Sequence, residues 1–186
     1  KNLLYINMND FKKGQEVFGV GTNFDYYLVQ NNNNKQKVHI VDIKDKTYNI
    51  DLSNWTFIPS GEFESYEKIL AMNGEDKVNI LHDYSSYETR KPWMSKKESE
   101  EYKHPVCYTI TEKKGLNLHY SSKINGHFDI PKVIWSNGLG TYPIIDEDGK
   151  YALTQFSYGI IDDKQNLDNI ALAMKNKEFI NLMGYV

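Results

Sequence analysis

Five short apolar runs between residues 105 and 161 restrict the fold more than any other feature of this sequence. They read PVCYTITE, LNLHYSS, PKVIWS, YPIID and YALTQFSYGII, and polar or glycine-containing segments separate them. Runs of this length, rich in β-branched and aromatic residues and bounded by turn residues, are typical of β-strands. The tripeptide Lys113-Lys114-Gly115 between the first two runs predicts a hairpin turn. This region therefore favours an antiparallel sheet.

The flanking residues complete an α+β pattern. The first sixty residues carry three more strand-like runs, EVFGVGTNFDYYLVQ, QKVHIVDI and KTYNIDL, which predict a hairpin or meander. SYEKILAM has helical spacing, and NIALAMKNKEFINLM predicts a C-terminal helix that Asp168 caps and Asn176 divides in two. We expect an α+β fold, mainly antiparallel sheet with C-terminal helices. Residues 1–60 would form a β-hairpin segment and residues 61–186 a second domain.

The composition of the chain and its N-terminal residues indicate where the protein is located in the cell. No run approaches 18 apolar residues, and the N-terminus lacks the basic and apolar regions of a signal peptide. These absences predict a cytoplasmic protein without a membrane partner. Cys107 is the single cysteine and lies in the strand-like HPVCYTI, which favours a buried thiol over a nucleophile. Because the first residue is Lys1 and not Met, we expect the chain to be part of a longer polypeptide.

No motif in the sequence predicts a catalytic residue or a metal site. The glycines of FGVGTNF could approach a nucleotide, but the segment continues as a strand, which favours a glycine bulge or hairpin. DEDGK lacks the spacing of an EF-hand and indicates a hairpin turn. The five histidines have no zinc-ligand spacing, and neither a P-loop nor a G-x-S-x-G elbow occurs.

Positive charge is concentrated in the middle of the chain. Residues 89–132 carry 9 basic and 5 acidic residues, a net charge of +4, although the whole chain carries -3. The segment TRKPWMSKK combines a guanidinium group, ammonium groups and an indole ring. Basic side chains contact phosphates, and aromatic rings stack on bases. A solvated lysine face is the alternative interpretation, but the nearby amide- and glycine-rich loop at residues 136–142 favours a surface that enters a DNA groove.

Two segments near the C-terminus resemble a known family. FDIPKVIWSNGLGTYPIIDEDGKYALTQFSYGI, followed by NLDNIALAMKNKEFINLM, is similar to the Taq-type C-terminal specificity domain, the target-recognition domain of adenine-N6 DNA methyltransferases in type II restriction-modification systems. EVFGVGTNFDYYLVQN resembles the hairpin that closes a methyltransferase sheet. The resemblance implies a non-catalytic module that recognises double-stranded DNA. The remainder of the parent methyltransferase chain would bind S-adenosylmethionine, because the Asn/Asp-Pro-Pro-Tyr/Phe motif is absent here.

The resemblance and the charge pattern together assign DNA contacts to two sets of residues. A methyltransferase extrudes its target base, so a separate module has to hold the flanking DNA and read neighbouring base edges. The expected phosphate contacts are Arg90, Lys91, Lys96, Lys97, Lys113, Lys114, Lys123 and Lys132. The expected base or groove contacts are Trp93, Ser136, Asn137, Thr141 and Tyr142.

Two other functions remain open at the level of sequence. The tyrosine-rich strands could form the interface of a protein-interaction or assembly module in a phage or bacterial complex. Alternatively, acidic residues could bind magnesium in a small nuclease. The candidate magnesium ligands are Asp129, Asp146 and Asp148. Separately, the parent methyltransferase could also carry restriction endonuclease activity.

Overall fold

The computed structural model describes residues 2–31, 37–71, 74–136 and 142–186. It confirms the α+β class, with mostly antiparallel sheets and helices at the C-terminus. The chain divides into two compact units, residues 1–75 with Tyr185 and Val186, and Asp76–Gly184. The boundary expected after residue 60 is therefore wrong. It lies after Glu75 because Phe63, beyond the expected boundary, is buried in the core of the first unit.

The first unit is a four-stranded sheet with two short helices. Its sheet has the order β2-β1-β3-β4, in which β1 runs parallel to β3 and the other neighbours are antiparallel. A simple meander is therefore wrong for this region. Its core contains Ile6, Met8, Val38, Ile40, Tyr48 and Phe63. The elements are β1 (Asn2–Asn9), α1 (Phe11–Phe18), β2 (Phe24–Gln30), β3 (Val38–Val41), β4 (Thr47–Ile50), a 3-10 turn (Leu52–Asn54) and α2 (Phe63–Glu67).

Helix α1 covers the first three residues, Glu16 to Phe18, of an expected strand pair. The side chain of Asp10 accepts a hydrogen bond from the backbone N–H of Lys13, which begins the helix. Gly19 ends it with φ 71°, the left-handed conformation that glycine adopts without strain. The glycine expected to form a sheet bulge or hairpin therefore terminates a helix, and only the residues after Asn23 are extended.

The second unit contains two four-stranded sheets and the C-terminal helices. One sheet has the order β10-β9-β12-β5 and is antiparallel throughout, and the other has the order β11-β7-β8-β6, with β11 parallel to β7. The elements are β5 (Asn79–Leu81), β6 (Met94–Ser95), β7 (His104–Thr111), β8 (Gly115–Ser121), β9 (Lys132–Ser136), β10 (Ile144–Asp146), β11 (Ala152–Leu153), β12 (Ser157–Ile161), α3 (Lys164–Met174) and α4 (Lys177–Met183).

Residues from both sheets share an apolar core. Cys107 from β7 and Ile134 from β9 lie in one buried cluster with Ile110 and Leu153. Cys107 is buried, as expected, and burial raises the pKa of its thiol to about 12, which disfavours the reactive thiolate. Helix α3 packs its buried face against β9 through Val133. Strand β9 therefore packs against β7 of the other sheet through Ile134 and against helix α3 through Val133.

The expected turns and caps of this unit are partly confirmed. Lys113-Lys114-Gly115 forms the β7–β8 turn, where Gly115 has φ 62°. A turn also follows Asp146, but it is not a hairpin, because β10 and β11 belong to different sheets. The C-terminal helix does divide at Asn176, whose side chain accepts from Glu178 N and caps α4. Asp168 is not a cap: α3 already begins at Lys164 and buries Leu167.

Among the residues that the structure describes, no helix combines the length and the apolar composition needed to cross a bilayer.

Candidate nucleic-acid interface

A cleft on the β11-β7-β8-β6 sheet brings three of the predicted phosphate-binding residues together. Its volume is about 590 Å³, and Lys96, Lys113 and Lys114 all lie along it. Lys96 follows the short strand β6, whereas the other two lysines form the tip of the β7–β8 hairpin. All three are exposed to solvent. The remaining lining residues are Tyr108, Thr109, Thr111, Glu112, Asn117, Leu118 and His119.

A β-bulge places an aromatic ring in this cleft. In the β7–β8 ladder Cys107 lies opposite Leu118, and Thr109 lies opposite Asn117, so Tyr108 is the additional residue. Such an insertion re-aims a side chain relative to the normal alternation of a strand. The Tyr108 ring stacks on the imidazole of His119 at 4.3 Å between centroids, with 8° between the ring planes. The ring of Phe156 meets Tyr108 edge-on at 5.4 Å.

His119 is a buried polar residue at the inner wall of the cleft. Its exposed fraction is 8%, yet within the described ranges neither ring nitrogen has a hydrogen-bond partner and neither is sealed from solvent. Burial, with a smaller contribution from the charge of Lys96, lowers the pKa of His119 below its ordinary value of 6.5. The imidazole is therefore neutral at pH 7. It can donate from one nitrogen and accept at the other.

The amide of Asn117 is held against the opposite strand. Its Nδ2 lies 3.3 Å from both the backbone oxygen and the hydroxyl oxygen of Thr109. These contacts fix the side chain on the cleft side of the hairpin, beside the two stacked rings. Hydroxyl, amide, imidazole and ammonium groups therefore line a single concave surface, together with aromatic and aliphatic side chains and the carboxylate of Glu112. A small number of polar groups beside apolar and aromatic side chains is the usual composition of a ligand site.

A second cationic cluster surrounds Trp93. The Nζ atoms of Lys123 and Lys91 lie 4.7 Å and 5.7 Å from the centroid of the indole ring, which are cation–π distances. The indole N–H donates to the backbone oxygen of Ser86 at 2.9 Å. Trp93 was expected to contact bases, but its half-buried position and its contacts suit it to supporting the two lysines.

The remaining exposed cations among the expected phosphate contacts are Arg90 and Lys97. The side chain of Arg90 is 88% exposed and pairs with Glu88 at 2.6 Å. Lys97 is exposed and follows Lys96 directly after β6. Neither residue lines the cleft. Both remain accessible for a phosphate contact at its margin or elsewhere on the surface.

Lys132 was expected to contact a phosphate, and the structure contradicts this. The side chain is fully buried, and its Nζ donates to the carboxylate of Asp146 at 2.8 Å. The other two N–H groups point to the backbone oxygens of His127 and Ile130, at 3.1 Å and 3.0 Å. All three donors of the ammonium group are thus satisfied inside the protein. No donor is left for a ligand.

The expected groove contact of Ser136 is also wrong. The residue is 8% exposed, and its hydroxyl group bridges the backbone of Ile110, accepting from the N–H at 3.0 Å and donating to the oxygen at 2.9 Å. It joins the two sheets and does not face solvent. Asn137 and Thr141 lie outside the described residues. Tyr142, the end of that loop, is 44% exposed.

Two of the three acidic residues proposed as magnesium ligands, Asp146 and Asp148, have other partners. Asp146 is neutralised by Lys132 and also accepts from the backbone N–H groups of Lys150 and Tyr151. Asp148 forms an exposed ion pair with Lys164. Across residues 2–31, 37–71, 74–136 and 142–186, no three His, Cys, Asp or Glu side chains lie close enough to hold a metal ion. The arrangement therefore gives no support to the nuclease alternative.

Tyr108 and His119 were missed by the sequence interpretation. Strict alternation along β7 and β8, counted from the turn, does not bring these two residues to one face, because the bulge shifts the register between Cys107 and Thr109. A signal did exist, since CYTI and NLHY place a polar aromatic residue in each arm of a hairpin tipped by two lysines.

No family model, no curated protein and no solved structure matches this chain.

Proposed function

We propose that Asp76–Gly184 is a module that binds double-stranded DNA through the cleft of the β11-β7-β8-β6 sheet. The observation that carries this proposal is the convergence of Lys96, Lys113 and Lys114, from two separate parts of the sequence, on one concave surface. Ammonium groups contact phosphate oxygens and set the register of a protein on a duplex. The three ammonium groups outnumber the single carboxylate of the lining, Glu112, and an excess of positive charge in a cleft concentrates the electrostatic field on a polyanion.

The parent protein in this proposal is an adenine-N6 DNA methyltransferase of a restriction-modification system, located in the cytoplasm. Support comes from the family resemblance of residues 128–183 and from the concentration of positive charge in residues 89–132. In this arrangement the present chain selects the DNA sequence and does not catalyse methyl transfer. S-adenosylmethionine and the methyltransferase motif belong to the remainder of the parent chain. The tetrapeptide Asn-Pro-Pro-Tyr or a variant of it, encoded upstream of Lys1, is the expected genetic signature.

The salt dependence of duplex binding tests the DNA-binding proposal. Each phosphate that a lysine neutralises adds about 0.9 to the slope of log Kd against log salt concentration. The Lys113→Ala/Lys114→Ala variant should therefore lower the slope by about 2, and adding Lys96→Ala should lower it further. Fluorescence anisotropy of a labelled duplex over a range of salt concentrations measures both slopes.

The matched control removes two lysines elsewhere in the same unit. Lys175 and Lys177 are exposed at the α3–α4 junction and do not line the cleft. Lys175→Ala/Lys177→Ala changes the net charge equally and should leave the slope nearly unchanged. If the salt slope decreases equally in both double variants, the effect comes from net charge alone, and the assignment to the cleft is overturned. Duplex affinity that does not vary with salt would overturn DNA binding itself.

A feature of the first unit favours a second candidate function, a protein-interaction module. Strand β2 is at the edge of its sheet and pairs with β1 alone among the described strands. Its Tyr27 and Leu28 are 68% and 57% exposed and lie on opposite faces. Helix α1 exposes Phe11 and Phe18 as well, at 64% and 58%. Exposed apolar edge strands are sites at which other chains pair or pack.

Substitution on β2 separates the two functions. We expect Tyr27→Lys/Leu28→Lys to abolish co-elution with a protein partner, tested with the rest of the parent chain as the first candidate. The same variant should leave the salt slope for DNA unchanged. Co-elution with duplex DNA at low salt and with no protein would favour the DNA-binding proposal alone. Co-elution with protein and no DNA would reverse that ranking.

A further inference from the structure

We propose that the cleft receives one unpaired nucleotide, with its base against the Tyr108–His119 ring pair and its phosphate near the lysines. This inference rests on the proposed DNA-binding function and adds the class of ligand. It gives a binding role to Tyr108 and His119, whose presence in the cleft phosphate binding does not explain. Lysines alone would serve a duplex backbone, whereas a stacked aromatic pair in the same cleft points to a flat, aromatic ligand.

The ring pair is suited to a base that has left the duplex. In a duplex both faces of each base are covered by its neighbours, so a protein ring reaches them only after unstacking. Aromatic side chains beside a cationic groove are the arrangement by which proteins hold unpaired strands. Tyr108 and His119 each cover one face of the other ring, so the base would stack on the outer face of Tyr108, the more exposed of the two, beside Lys113 and Lys114.

His119 supplies the polar part of the site. It is more than nine-tenths buried, its nitrogens lack a protein partner within the described chain, and it lines the cleft. Buried polar groups are usually hydrogen-bonded, so an unpartnered imidazole that still reaches the surface indicates a ligand or solvent as its partner. A neutral imidazole can bond with the donors and acceptors of a base edge. Asn117 and Thr109 provide further polar atoms along the same wall.

The dimensions of the cleft agree with a single nucleotide. Its volume of about 590 Å³ lies within the range of small-molecule sites, roughly 300–1,000 Å³. The lysines at the hairpin tip line the cleft and are exposed to solvent, so a phosphodiester chain can reach them from outside. A duplex could therefore contact the margin of the cleft while one extruded residue occupies it.

Three DNA ligands that differ at one position test the inference with the complete 186-residue chain. They are a matched duplex, the same duplex with one unpaired adenine, and the same duplex with an unpaired abasic residue. The abasic ligand retains the additional phosphate and the flexibility of the bulge but has no base. We expect the adenine ligand to bind about 5- to 100-fold more tightly than the abasic ligand, the range that stacking of one base supports. Equal affinity for these two ligands would overturn the inference.

Two variants assign the preference to the ring. Tyr108→Leu should abolish the preference for adenine over abasic DNA, and Tyr108→Phe, which retains the ring, should preserve it. If Tyr108→Leu does not fold, the fluorescence of an unpaired 2-aminopurine gives the answer with the unaltered protein. Stacking in the cleft should quench the probe, and unchanged fluorescence on saturation would contradict the inference.

The outcomes also separate this inference from the DNA-binding proposal. Salt-dependent binding of the matched duplex without any adenine preference would overturn the nucleotide site and leave the duplex-binding function standing. An absence of binding to all three ligands would overturn both.

Discussion

The second unit contains two lysine environments that the sequence does not distinguish. At the tip of the β7–β8 hairpin, Lys113 and Lys114 are exposed beside a cleft. At the start of β9, Lys132 is fully buried and bonded to Asp146. All three were expected to contact phosphates. The difference shows that a basic residue acts on partners outside the protein only where the fold leaves its ammonium group unsatisfied.

The register of the sheet explains the second environment. Lys132 lies directly opposite Asp146 in the antiparallel pair of β9 and β10, so the ion pair is a cross-strand contact. Burial makes each charge depend on the other, because an isolated buried charge costs several kcal/mol. Lys132 therefore contributes to folding, whereas we assign the hairpin lysines to binding. The following predictions test this division, beginning with the largest expected effect.

Removing the buried ammonium group should strongly destabilise the second unit. We expect Lys132→Met to lower the free energy of unfolding by about 3–5 kcal/mol, the usual cost of leaving one partner of a buried pair unpaired. Urea denaturation followed by circular dichroism measures the change. The Lys132→Met/Asp146→Asn double variant should recover part of the loss, because the remaining carboxylate charge is then absent.

The exposed pair of Lys164 and Asp148 is the control for this prediction. Its side chains are 56% and 86% exposed, so solvent screens their attraction. Lys164→Met should change the denaturation midpoint very little. If Lys132→Met is as mild as Lys164→Met, then Lys132 is not the structural residue that its contacts indicate, and the contrast between the two lysine environments fails.

A smaller effect is expected at Ser136. Its hydroxyl group satisfies both backbone groups of Ile110, so Ser136→Ala leaves a buried N–H without a partner. The expected loss is about 1–3 kcal/mol in the free energy of unfolding. The sequence preference of DNA binding should remain unchanged in protein that is still folded. Altered base preference without loss of stability would indicate that Ser136 contacts the DNA groove and would contradict its structural role.

The pH dependence of stability tests whether His119, at the inner wall of the cleft, is buried in a neutral form. Burial lowers the pKa of both His119 and His127 in the folded protein, so the unfolded chain binds more protons as the pH falls below 6.5. Stability from these groups is therefore complete above pH 6.5 and is lost towards lower pH. The urea concentration at the midpoint of denaturation should decrease as the pH is lowered from 7 to 5. His119→Phe should reduce that fall, and an identical fall in the variant would exclude His119 as a contributor.

The parts of the fold that depend on local signals could be predicted from sequence. Lys113-Lys114-Gly115 identifies the hairpin because glycine accepts the positive φ of the turn. Asn176 identifies the break between α3 and α4 because its side chain caps the second helix. Helix α1 was missed although Asp10 caps its start and Gly19 ends it, because the apolar residues near it also suited a strand.

The candidate site was harder to predict because it depends on pairing over distance. The three cleft lysines could be nominated from charge alone, but their meeting place is set by the β6–β8 and β7–β8 pairings. Tyr108 reaches the cleft through a bulge, which alternation cannot reveal. The burial of Lys132 follows from its position opposite Asp146, a register that the sequence did not specify.

Differential acetylation of lysines tests the division most directly. The chain is treated with a limiting acetylating reagent with and without duplex DNA, and mass spectrometry gives the rate at each lysine. We predict that DNA slows acetylation at Lys96, Lys113 and Lys114 and leaves the rates at Lys175 and Lys177 unchanged. Lys132 should be unreactive in both conditions. Equal protection at the cleft and at the α3–α4 junction, or rapid acetylation of Lys132 in the folded protein, would contradict the account.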